Sequence, residues 1–259
     1  LLLPYLRYIA RARDEHSLHS PFLFSLYTTV IQADNRRQPA FRPIRAVGKQ
    51  LRKNRHSIQI TDYGAGSRIN ASGRRKIGDV ARNSQKLGRF GRLLFRLILR
   101  FNAKTVIDLG TSLGLTTAYM AEAARLLGGH VWTFEGCPET ATVARQTFDA
   151  LNQSNVTIVT GNIDHTLAPT LAPLPPVDLV FFDANHRYEP TMRYFEACLS
   201  RAHNDTVFVF DDIHWSAEME QAWADIKAHP AVRVTVDLFW VGLVFIRLEQ
   251  PKQDFILRF

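Results

Sequence analysis

Beyond residue 104, short apolar runs rich in β-branched and aromatic residues alternate with longer segments whose apolar positions recur at helical spacing. The runs at 105–109, 131–135, 156–160, 177–182 and 206–211 read as strands. The segments between them read as helices, with Pro138 and Glu189-Pro190 suited to helix starts. Strand and helix in alternation predict a parallel sheet covered by helices on both faces. Two last runs, Arg233 to Phe239 and Val241 to Leu248, predict an antiparallel hairpin around Trp240-Val241-Gly242. The expected fold is α/β: a doubly wound, mostly parallel seven-stranded sheet with an antiparallel C-terminal hairpin, preceded by an N-terminal helical region.

In that N-terminal region, residues 1–35 read as two helices broken near His19-Ser20-Pro21, where Ser20 supplies an N-cap and Pro21 the first helical position. Phe22, Leu23, Leu26, Val30 and Ile31 then form an apolar stripe expected to pack on the rest of the protein. Residues 36–57 carry many charges, two prolines and little periodicity, which predicts a loop or mobile basic segment. The run from Ser57 leads into an acid and glycine loop, Asp62 to Ser67, but no apolar helix opens behind it. A turn shaping an acceptor pocket or lid is the expectation there. Helices are predicted over 74–85 and 89–100, the second with Leu93, Leu94, Leu97 and Ile98 on one face and basic residues on the other. The domain boundary falls between a basic, mainly helical region, 1–85, and an α/β domain, 86–259.

Chemistry enters at Asp108-Leu109-Gly110-Thr111-Ser112-Leu113-Gly114, where a β-branched strand ends in an acid and two glycines precede a helix. The spacing is neither the dinucleotide fingerprint nor a Walker loop. Glycines here let the backbone turn sharply and let a ligand lie against main-chain N–H groups, and the helix end adds partial positive charge. A nucleotide-like ligand is expected. A second strand ends in Glu135, 25 residues after Gly110, where a doubly wound fold places a ribose-binding acid.

Over roughly residues 86–248 the chain resembles the class I S-adenosylmethionine-dependent methyltransferases, through Asp108–Gly114, Glu135, Gly161-Asn162, Asp178–Asp183 and Val207–Asp212. Within them it is similar to the catechol- and caffeoyl-coenzyme-A-type O-methyltransferases. The resemblance implies a cofactor set of Asp108, Gly110, Ser112, Gly114, Thr116, Glu135, Asn162 and Asp183. Ser112 and Thr116 would bond the methionine carboxylate, and Glu135 the ribose hydroxyls. Asn162 would lie near the adenine edge or make a strand-end turn. Asp183-Ala184-Asn185-His186-Arg187-Tyr188 is similar to the segment in which an Asp binds metal and a Lys three residues on acts as base. His186 stands at that spacing, so Asp183 and His186 are the expected catalytic residues, with His214 a second base candidate. Asp211 and Asp212 match a metal-binding Asp-Asn pair with Asp for Asn. With Asp183 they are expected to hold Mg²⁺ or another divalent cation; the other reading makes them strand-end acids, with Asp212 capping the helix near Trp215.

Charge adds a partner question. Residues 1–105 hold 22 Lys and Arg against 5 Asp and Glu, and residues 106–259 hold 10 against 19, so +17 faces −9. The basic part points to a polyanionic partner, be it a nucleic acid such as RNA, an acidic membrane surface or a small phosphorylated or otherwise anionic acceptor, or it is a solvated face. Salt-sensitive RNA methylation and a non-catalytic cofactor-binding module are therefore the rival readings. Cys137 and Cys198 read as reduced thiols of a cytoplasmic protein, and no run is long enough for a transmembrane segment. The resemblance also brings a homodimer into the expected states.

Overall fold

The computed structural model describes residues 2–61, 73–83 and 88–259. The glycine loop at 62–67 lies outside them. In chain order the elements are α1 (Leu2–Arg11), α2 (Pro21–Leu26), α3 (Phe41–Lys53), β1 (Ser57–Gln59), β2 (Arg74–Lys76), α4 (Ile77–Asn83), α5 (Gly88–Arg100), β3 (Thr105–Leu109), α6 (Leu115–Leu126), β4 (His130–Glu135), α7 (Pro138–Ala150), β5 (Val156–Thr160), α8 (Ile163–Leu171), β6 (Val177–Phe182), α9 (Tyr188–Leu199), β7 (Ala202–Asp211), α10 (Ala217–Ala228), β8 (Val234–Asp237), β9 (Val241–Phe245) and β10 (Gln253–Ile256). Eight strands belong to one mostly parallel sheet, and β1 pairs antiparallel with β2. The chain divides into two compact units, residues 35–174 and residues 1–34 with 175–259.

In the unit of residues 35–174, β3, β4 and β5 run parallel in that order, with Val106 opposite Val131 and Phe134 opposite Val159. Every residue of β3 is buried, the pattern of a strand covered on both faces. The predicted apolar face of α5 is buried through Leu93, Leu94, Leu97 and Ile98. Two expectations are corrected here. Residues 41–53, read as loop, form α3, because Phe41 and Ile44 stand one turn apart and are both buried. Pro43 does not break this helix because it lies in the first turn, where its missing N–H leaves no bond unmade. The helix read over 74–85 starts only at Ile77. Arg74, Arg75 and Lys76 offer no apolar residue to a helix face and pair instead with Ser57–Gln59.

In the other unit the strands lie in the order β10-β8-β9-β7-β6. β6 and β7 are parallel, and β9 is antiparallel to both β7 and β8, as the hairpin reading expects. The sheet exceeds the expected seven strands by β10, which adds parallel to β8. Its segment Gln253–Ile256 has two polar and two apolar residues and so gives almost no strand pattern. The break at Ser20 is as expected: its hydroxyl accepts from the Leu23 N–H, and Pro21 opens α2. Leu23, Leu26, Val30 and Ile31 are buried, and Phe22 meets Phe245 of β9 edge-on at 5.2 Å. Tyr8 of α1 donates its hydroxyl to the Leu257 carbonyl at 2.6 Å, tying the first helix to the chain after β10. No helix among the described residues is long and apolar enough to cross a membrane.

Candidate functional site

β3 ends at Leu109, and the chain turns through Gly110 (φ 124°), Ser112 (φ 48°) and Gly114 (φ 80°) into α6, whose N-cap is Gly114. The left-handed region suits glycine, but for a serine it is held only where neighbours impose it. Here the Ser112 N–H donates to Glu135 Oε2 at 2.9 Å. The other carboxylate oxygen, Oε1, accepts from the Cys137 N–H at 2.9 Å. Two backbone donors thus orient Glu135 at the end of β4. The Gly110 and Thr111 amides both donate to the Phe134 carbonyl, at 3.2 and 3.0 Å, which fastens the loop to the same strand end.

Asp108 lies beneath this loop and is 1% exposed. Its Oδ2 accepts from the hydroxyls of Thr117 at 2.6 Å and Thr133 at 2.7 Å, while Oδ1 has no hydrogen-bond partner among the described residues. Burial pushes this carboxyl up to about 7, against the two hydroxyls, which favour the charged form. Its position is that of an anchor for the loop. Thr116 is half-buried in the first turn of α6. Asn162 caps α8, its side-chain oxygen accepting from the Asp164 N–H at 3.0 Å, in line with the strand-end reading of this residue.

In the unit containing β6 and β7, the chain after β6 passes through two left-handed residues, Asn185 (φ 70°) and His186 (φ 46°). The turn carries the imidazole back to Asp183, with Nε2 3.6 Å from Oδ1. Asp211, fully buried at the end of β7, completes a group: one ligand atom each from Asp183, His186 and Asp211 lie within 4.8 Å of one another. Asp212 is not in that group. Its N–H donates to the Trp240 carbonyl at 2.7 Å and its own carbonyl accepts from the Trp215 N–H at 2.9 Å, while Ser216 caps α10. His214 faces elsewhere, with Nε2 2.8 Å from Asp237 Oδ2 and Nδ1 3.5 Å from Glu220 Oε1. Burial disfavours its charged form, but these two carboxylates outweigh that and hold its pKa above the ordinary imidazole value. The place of His186 as a third ligating side chain was not read from the sequence; its three-residue spacing from Asp183 was the available signal.

Residues 107–213 match the model of the methyltransferase domain family. The match covers less than half of the chain, and by fold the chain is similar to solved methyltransferase structures. It is similar to a catechol O-methyltransferase of Niastella koreensis, 32% identical over 132 residues, which are 50% of this chain and 57% of that protein. It is also similar to the O-methyltransferase ankF of Aspergillus thermomutatus, 28% identical over 116 residues, 43% of this chain and 47% of that one. The chain thus spans about half the length of the curated relatives it matches. Among solved structures, cofactor-bound Rv0187 from MTB shares the fold with a TM-score of 0.58 and 23% identity, covering 87% of this chain and 94% of that one. An O-methyltransferase from Bacillus cereus in complex with SAH does so with a TM-score of 0.54 and 20% identity, covering 63% and 83%. These relatives do not favour the RNA-methylating or non-catalytic readings.

Proposed function

We propose that the protein transfers the methyl group of S-adenosylmethionine to a hydroxyl oxygen of a small acceptor. The observation that carries this reading is the 2.9 Å bond from the Ser112 N–H to Glu135, which clips a glycine loop to a ribose-type acid. The O-methyltransferase relatives support it. S-adenosylmethionine, when bound, supplies an electrophilic methyl on a sulfonium. Displacement there is in-line, so the chain's tasks are alignment and removal of the acceptor proton. Gly110 and Gly114 leave the loop backbone open to the cofactor, Ser112 and Thr116 offer hydroxyls to its carboxylate, and Glu135 receives the ribose hydroxyls. His186 takes the acceptor proton, and Asp183 orients the imidazole.

In the alternative arrangement His186 is a ligand and not the base: the donors of Asp183, His186 and Asp211 would hold a divalent cation, which would stabilise the acceptor's developing oxyanion. Two carboxylates with an imidazole suit an ion of the Mn²⁺ kind, whereas Mg²⁺ prefers oxygen alone. A cytoplasmic location and a homodimeric state belong to the same proposal. The test is calorimetric titration with S-adenosylhomocysteine, followed by transfer of labelled methyl to phenol and vicinal-diol acceptors with and without Mn²⁺. Micromolar binding is expected, weakened roughly tenfold or more by Glu135→Ala. Absence of binding, or equal binding by Glu135→Ala, overturns the reading.

A further inference from the structure

The turn that brings His186 to Asp183 is flanked on one side by β6 and on the other by the start of α9. His186 holds a left-handed conformation that its β-carbon disfavours, so the turn keeps its shape only where both flanks are fixed. The Ala184 carbonyl accepts from the His186 N–H at 2.9 Å, a bond inside the turn that does not decide where the turn points. The flank on the strand side is part of the sheet. The flank on the helix side begins at Tyr188, after the N-cap residue Arg187, whose side chain carries only donors and so cannot accept from the free amides of the first turn.

A carboxylate from another helix takes that place. Glu218, in the first turn of α10, accepts from the Tyr188 N–H at 3.0 Å through Oε2. Its negative charge therefore stands at the positive ends of both α9 and α10. Two turns further along α10, and so on the same face, Asp225 Oδ2 accepts from the Tyr188 hydroxyl at 2.8 Å. Gln221 lies between them and donates to Asp225 Oδ1 at 3.0 Å. Bonds from Gln221 and Tyr188 hold the Asp225 carboxyl below its ordinary pKa, so the charged form is the one that accepts.

One helix thus grips Tyr188 at its amide and at the far end of its ring. That helix is itself anchored: Ser216 caps it, and Met219, Ala222, Trp223 and Ile226 are buried. A residue bonded to one rigid element at two such distant points can neither slide nor rotate freely, and only Arg187 separates it from His186. We infer that Glu218 and Asp225 are positioning residues of the candidate site: through Tyr188 they set where the His186 imidazole stands relative to Asp183. The inference rests on the proposed role of His186, as base or as metal ligand.

The test compares Glu218→Ala, Glu218→Gln and Tyr188→Phe in the whole chain, each first shown by urea unfolding to be folded. One readout needs no turnover: the His186 imidazole signals in the magnetic resonance spectrum of protein carrying isotope-labelled histidine, assigned by their loss in His186→Ala. Glu218→Ala and Tyr188→Phe should displace these signals. Glu218→Gln, whose amide oxygen still accepts from an N–H, should return them close to their wild-type positions. The second readout is methyl transfer, in which Glu218→Ala should lower kcat about tenfold while the acceptor KM and S-adenosylhomocysteine affinity stay within about twofold, and Glu218→Gln should recover most of the loss. A wild-type protein that transfers no methyl overturns the proposed function, and the imidazole signals then still decide this inference. His186 signals unmoved in Glu218→Ala, signals that Glu218→Gln fails to restore, an unchanged kcat in Glu218→Ala, or a parallel loss of S-adenosylhomocysteine affinity would each overturn it.

Discussion

Replacing Asp108 by asparagine tests whether the carboxyl beneath the glycine loop is neutral when the protein is folded. Its folded pKa of about 7 stands against an ordinary value of 3.8, a rise caused by burial. Below pH 3.8 both folded and unfolded chains carry the proton, so the group contributes no penalty. As pH rises from there to about 7, the unfolded chain loses its proton while the folded chain keeps it, and stability falls. Above that value both forms are ionised and the loss is complete. At 1.36 kcal/mol per pKa unit the full penalty is about 4 kcal/mol, of which roughly 2–3 kcal/mol accrues between pH 5 and pH 8. Asparagine has nearly the same shape and does not titrate, and the hydroxyls of Thr117 and Thr133 can rotate to donate or accept. Urea unfolding of both proteins at the two pH values measures the difference directly. Relative to wild type, the Asp108→Asn protein should gain about 2–3 kcal/mol on going from pH 5 to pH 8. A stability difference that stays constant within about 0.5 kcal/mol would show that Asp108 does not carry the raised pKa.

Three further outcomes are expected. Gly114→Ala places a Cβ at φ 80° and 2.8 Å from the Phe148 ring, so it should lower stability by about 1–3 kcal/mol in denaturant unfolding and weaken S-adenosylhomocysteine binding. Cys137 and Cys198 are free and buried, and burial pushes the Cys198 thiol up, so Ellman's reagent should label neither until the protein is unfolded in urea. His186→Ala removes the only imidazole from the group with Asp183 and Asp211, so Mn²⁺ affinity by calorimetry should drop roughly tenfold or more while Mg²⁺ affinity changes less; equal losses for both ions would remove His186 from the ligand set.

The parallel strands are legible in the sequence because burial on both faces demands uninterrupted apolar runs, as in Thr105–Leu109 and Val177–Phe182. The helix at 41–53 is harder to read: Phe41, Ile44 and Leu51 do recur at helical spacing, but Pro43 and Gly48 interrupt the pattern and Arg42, Arg45, Lys49, Arg52 and Lys53 dominate the composition. Strand β10 hides for a related reason: a short edge strand takes its place from backbone pairing with β8, which requires no particular side chain. At the candidate site, Gly110, Gly114 and Glu135 stand out because their roles depend on backbone shape and on position at a strand end. The grouping of His186 with Asp211 depends on a turn through two left-handed residues, and Ala184-Asn185-His186 has no glycine to announce it.

That turn is one case of a wider regularity. Among the described residues, seven non-glycine residues adopt positive φ: Asn102, Ser112, Asn152, Asn185, His186, Asp212 and Phe239. Asn102 and Asn152 follow α5 and α7, where asparagine commonly ends a helix in this conformation. The other five all lie just beyond the carboxyl ends of strands: Ser112 after β3, Asn185 and His186 after β6, Asp212 after β7 and Phe239 after β8. Each such residue costs on the order of 1–3 kcal/mol unless its surroundings impose the conformation, and carboxyl-end loops are where α/β sheets bind ligands. For Ser112 the compensating contact is the bond to Glu135, and for Asp212 it is the bond to the Trp240 carbonyl. Phe239 is held by its ring, packed against Tyr5, Tyr8 and His214 at 4.8, 5.4 and 5.4 Å. Backbone strain therefore singles out three of the strand ends that carry sequence motifs, those of β3, β6 and β7, on grounds independent of any motif. In the loop after β3 the bonds from the Ser112 and Cys137 amides to Glu135 are already made in the protein alone, so a cofactor bound there as proposed would meet groups that need little rearrangement, and more of its binding energy would be left for alignment.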